Sequence, residues 1–89
     1  MEALTDLPEI GSVTAQQLVS VGITTAEQLR HLGAKEAFER IRTNLDPGAC
    51  IQLLYGLESA VEGVPARALS PDTKAELRQW KAQLNSLKV

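Results

Sequence analysis

Side chains able to do chemistry are few and scattered in this chain. His31 is the single histidine. It precedes Gly33 by two residues, where a cationic side chain suits the end of a helix, and it has no obvious sequence-level partner for acid–base work. Cys50 is the single cysteine. It falls on an apolar stripe and is expected to be a buried core thiol rather than a nucleophile. No Cys/His cluster has zinc spacing, and no glycine-rich loop has the form of a nucleotide cradle. No catalytic site, metal or cofactor is therefore expected.

Backbone chemistry is a different matter. The run Leu7-Pro8-Glu9-Ile10-Gly11 leads into a short helix that stops at Gly22-Ile23, and Thr24-Thr25-Ala26-Glu27-Gln28-Leu29 starts a second. This order resembles a helix-hairpin-helix, in which hairpin amides contact a phosphate while a nearby Lys or Arg supplies charge. The residues placed for such a contact are Ile10, Gly11, Ser12 and Val13. Their surroundings argue against it. Glu9 stands where binding hairpins usually carry a second glycine, and Ser12-Val13-Thr14 holds no lysine. Residues 1–29 contain Glu2, Asp6, Glu9 and Glu27 and no Lys or Arg, a local charge of −4 that repels a phosphate backbone. The hairpin is expected to serve as scaffold.

The elements that position these residues read as all-α. Of 89 residues, 44% are hydrophobic, mainly Leu and Ala, with one each of Phe, Trp and Tyr, so strand formers are scarce. The length suits one domain over residues 1–89. Ser12 is expected to cap a helix over about 13–21, and Ala15, Leu18 and Val21 share a face. Gly22 suits the left-handed position that closes it. Thr24 and Glu27 fit a capping box ahead of Ala26, Leu29 and Leu32. A third helix over 34–44 buries Ala34, Ala37, Phe38, Ile41 and Leu45. Asp46 and Pro47 then open a central helix over 48–62, striped with Cys50, Leu53, Leu54, Leu57, Ala60 and Val61 and widened by Ile51 and Tyr55. Ser70-Pro71-Asp72 starts the last helix, 71–87, with Leu77, Trp80, Leu84 and Leu87 inward. The result is a compact bundle of about five short helices beginning with a degenerate helix-hairpin-helix.

Charge and apolar surface narrow the partners. The net charge of −2 disfavours anionic polymers and membranes, and no apolar run reaches the roughly 20 residues of a membrane span. A lone cysteine and an acidic N-terminus without a basic segment make a reducing cytoplasm the default expectation. Positive charge gathers late: residues 30–44 hold four bases against two acids, and residues 65–89 five against two. Arg40, Arg42, Lys74, Arg78 and Lys81 would form a weak basic face if the fold united them. The apolar surface left uncovered by the central and last helices is expected around Tyr55, Val64 and Leu69, as a docking strip for a protein partner or for self-association. Weak, sequence-nonspecific DNA binding through the hairpin amides and these bases is the alternative.

Two blocks in order resemble a known family. One is the Leu7–Ala34 hairpin with Gly22-Ile23-Thr24-Thr25 and His31-Leu32-Gly33-Ala34; the other is Leu53-Leu54-Tyr55-Gly56-Leu57-Glu58-Ser59-Ala60-Val61-Glu62-Gly63. Together they resemble the C-terminal domain of the TfoX/Sxy proteins, bacterial regulators of natural DNA-uptake competence, from about Leu4 to about Leu84. The resemblance implies an all-α, non-enzymatic regulatory module in a stand-alone version, without catalytic residues to carry over. Val64-Pro65-Ala66-Arg67 departs from the family pattern, which often has a bulky aromatic after the glycine.

Overall fold

A computed structural model describes residues 3–87, with the side chains of Asn85 and Leu87 outside that description. Five α-helices follow in order: α1 Ser12–Ser20, α2 Ala26–Leu32, α3 Ala34–Asn44, α4 Ile51–Glu62 and α5 Pro71–Leu87. Short 3₁₀ turns at Leu4–Asp6 and Ala66–Ala68 precede α1 and α5. No strand occurs among the described residues.

Local signals explain most boundaries. Helix α1 closes with a Schellman motif: Gly22 N–H donates to Val19 C=O at 3.0 Å and Ile23 N–H to Leu18 C=O at 2.9 Å. Gly22 takes φ +87°, a backbone state costly for any other residue, and the motif seats Ile23 and Leu18 together in the core. Gly33, at φ +88°, ends α2 and begins α3 with no further linker. Ser70 Oγ accepts the Thr73 amide at 3.0 Å, so α5 begins where its cap and proline placed it.

Three starts differ from expectation. Helix α1 begins at Ser12 itself, with Gly11 as the cap residue and no side-chain cap. The second helix is capped one residue later than expected. Thr25 Oγ1 accepts from Gln28 N–H at 3.0 Å, and Gln28 Oε1 accepts from Thr24 N–H at 2.7 Å. Gln28 thus holds the position anticipated for Glu27. The central helix starts at Ile51, because Asp46 closes a turn rather than a helix: its Oδ1 accepts from Gly48 N–H at 3.1 Å and its carbonyl from Ala49 N–H at 3.0 Å. The chain is then extended at Cys50, which turns the thiol outward; the expected buried thiol is exposed.

The core forms around α4, which packs against α2, α3, α5 and the second 3₁₀ turn. Leu54, Leu57 and Ala60 are wholly buried, as are Phe38 and Ile41 facing them from α3. Ser59 is the buried polar residue of this helix, and its hydroxyl donates to Tyr55 C=O at 2.8 Å. Phe38 and the half-buried Trp80 meet edge to face at 6.0 Å, joining α3 to α5. Leu45, expected in this core, is 45% exposed because it stands past the last turn of α3, where the helical register has ended.

Truncation at the centre should be severe. Leu57→Ala is expected to cost about 2–5 kcal/mol, a large part of the stability of a small domain. Val13→Ala, at a 68% exposed position, should stay within about 0.5 kcal/mol. Urea unfolding of both variants checks the contrast.

Candidate functional site

The hairpin loop is built into the fold from beneath. Leu7 and Ile10 are buried, and the Ile10 amide donates to Leu7 C=O at 3.3 Å, so this amide is turned to the chain's own use. Glu9 between them adopts φ +65°, the left-handed region where a binding hairpin has glycine. Its carboxylate reaches across the molecule and accepts the Ala66 amide at 3.1 Å, pinning the loop to the second 3₁₀ turn. The loop also lies on α4, where a Cβ added at Gly56 would stand 3.7 Å from Glu9 Cβ. Of the four hairpin positions, Gly11, Ser12 and Val13 face solvent and Ile10 does not. No acidic or basic side chain stands in the first turn of α1.

The bases divide between two sides. Arg40 is fastened toward α1: its Nε pairs with Glu36 at 2.9 Å and its Nη1 donates to Val21 C=O at 3.3 Å. Lys74 and Arg78 turn instead to α4, with Lys74 Nζ 5.8 Å from the Tyr55 ring centre and Arg78 Nη1 donating to Tyr55 Oη at 3.0 Å. Lys81 follows on the same side of α5 by helical spacing. Arg42 lies two residues beyond Arg40 on α3, nearly opposite it around the helix axis, so the pair does not share one face.

The expected apolar strip is not a surface. Tyr55 is 9% and Leu69 4% exposed, both within the core, and Val64 packs half-buried against it. A five-helix fold around one broad helix uses that face for itself, because the 3₁₀ turn and α5 cover it. Exposed apolar area occurs instead on α1, at Val13 and Val19. It was legible as a helix lacking charge, but helical spacing alone did not tell which α1 residues the bundle leaves uncovered.

His31 is exposed in the last turn of α2, beside a shallow groove formed with Gly22, Thr25, Gln28 and Arg30. Among the described residues, no group of three or more His, Cys, Asp or Glu side chains could hold a metal ion.

A cluster that the sequence did not signal joins three helices. Lys35 of α3 pairs with Glu76 of α5 at 3.0 Å and lies 6.0 Å from the Trp80 ring centre. Glu58 of α4 lies beside this pair, and Glu62 stands one turn further along α4 next to Glu58. A hydrogen bond with Glu62, partial burial and the charges of Glu62 and Glu76 push the Glu58 carboxyl up to about 7, against the opposing pull of Lys35. The folded state therefore holds this proton more tightly than the unfolded chain. Stability from the protonated form is full below pH 4.5 and is lost as the pH rises through about 7. Glu58→Gln should flatten that decline, melting a few degrees above the native protein at pH 8 and together with it near pH 4.5. Thermal unfolding by circular dichroism across this range reads the difference.

The chain matches the family described as the TfoX C-terminal domain over residues 1–81. Two solved structures from Listeria monocytogenes are similar. An uncharacterized protein in a triclinic form is 40% identical, with a TM-score of 0.91 and 94% of each chain covered. A protein of unknown function in a tetragonal form is 42% identical, with a TM-score of 0.87 over 91% of this chain and 98% of that one. No curated protein matches. A family match over residues 1–81, on a fold shared with those two structures, makes this protein a member of the TfoX C-terminal domain family.

Proposed function

We propose that the domain is a non-enzymatic regulatory module that works by docking a protein partner, with the outer face of α1 as the contact. The observation carrying this reading is the stretch from Ile10 to Ala26, seventeen residues without a formal charge. It presents Val13 at 68% and Val19 at 51% exposure. Ala15, Gln16, Val19 and Ser20 line a shallow, mainly apolar depression there. Such a face gains from being covered by another apolar surface, and no charge has to be desolvated to cover it.

The same face suits nucleic acid poorly. A phosphate backbone is bound chiefly by neutralising its charge, and α1 brings no cation while Glu9 and Glu27 flank it. Membership of a family named for competence regulators supports a regulatory setting.

A double substitution, Val13→Glu with Val19→Glu, places charge on the face at exposed positions and should leave the melting temperature within about 2 °C. A protein retained from cell extract by the immobilised native domain should be lost by the variant. That protein, once purified, should bind the native domain at least about tenfold more tightly than the variant. Equal binding by both forms would remove α1 from the interface.

A further inference from the structure

We infer that the side of α5 carrying Lys74, Arg78 and Lys81, braced from beneath by the buried Tyr55 of α4, is a second docking surface whose partner is an acidic polypeptide segment. This surface differs from the uncharged α1 face, and either can fail without the other.

Lys35 is paired with Glu76 and Arg40 with Glu36. Among the described residues no carboxylate lies within salt-bridge distance of Lys74, Arg78 or Lys81. Their spacing of four and three residues puts them along one side of α5 over about 10 Å of helix axis. The acids of α5, Asp72 and Glu76, lie elsewhere around the helix, and Glu76 turns to Lys35 of α3. The row is thus positive on a chain whose net charge is −2.

Two of the three cations are also held in place. Arg78 Nη1 donates to Tyr55 Oη at 3.0 Å, and Lys74 Nζ stands 5.8 Å from the ring. Side chains fixed in this way lose less conformational freedom when a carboxylate arrives.

Charge complementarity selects the occupant. Carboxylates at three- and four-residue spacing on a helix match the row over the same two turns. Duplex DNA would receive only about three phosphate contacts, whose counterion release is too small to hold it on an acidic protein at physiological salt.

A labelled sixteen-residue helical peptide with glutamates at positions i, i+4 and i+7, and its glutamine counterpart, test the assignment by fluorescence anisotropy against the full chain. The glutamate peptide should bind with an affinity that falls with salt, and the glutamine peptide at least about tenfold more weakly. Lys81→Glu should weaken the glutamate peptide about tenfold, and Lys81→Arg should keep it. Among the described residues the Lys81 side chain has no hydrogen-bond or ion-pair partner, so neither change threatens folding. Equal binding of the two peptides, or no binding by either, overturns the inference. So does a DNA duplex that binds more tightly than the glutamate peptide.

Discussion

The structure depends on the burial of one face of α4. Leu54, Leu57 and Ala60 exclude solvent wholly, and α2, α3 and α5 each contribute apolar side chains that reach water unless α4 lies against them. In so small a domain a single core supplies nearly all the stability, so most large apolar side chains are committed to it. That commitment explains why Tyr55 and Leu69 are not available as a docking strip. It also explains why function has to be sought on the outer sides of α1 and α5, which the core does not use.

The hairpin follows from the same constraint. Its loop rests on α4 beside Gly56, is anchored by the buried Leu7 and Ile10, and is tied to the second 3₁₀ turn by Glu9. In a phosphate-binding hairpin the loop presents a flexible glycine and adds positive charge nearby. Here the corresponding residue is an acid in the left-handed region, and its carboxylate is satisfied by a backbone amide of the chain itself. The acid at the centre of the loop is thus committed to holding the loop in place.

Much of this was legible from residue order. Helical periodicity and capping chemistry located α3 and α5 within a residue, and Gly22 marked the end of α1, because these signals are local and strong. Errors arose where two local solutions competed. Asp46 could cap a helix or close a turn, and it closed the turn, which moved α4 three residues and exposed Cys50. Thr24 and Thr25 could each cap α2, and Gln28 decided between them. What could not be read locally was which faces meet. The separation of Arg40 from Lys74 and Arg78, the approach of Glu76 to Glu58, and the cover over Leu69 all depend on how α5 lies against α3 and α4.

The central claim is that the hairpin is a structural joint and not a nucleic-acid contact. The most direct test is a two-dimensional amide NMR titration of the domain with a short DNA duplex at low salt. The account predicts that the amides of Gly11, Ser12, Val13 and Thr14 keep their shifts at saturating duplex. Salt-dependent shifts concentrated on those four amides would contradict it.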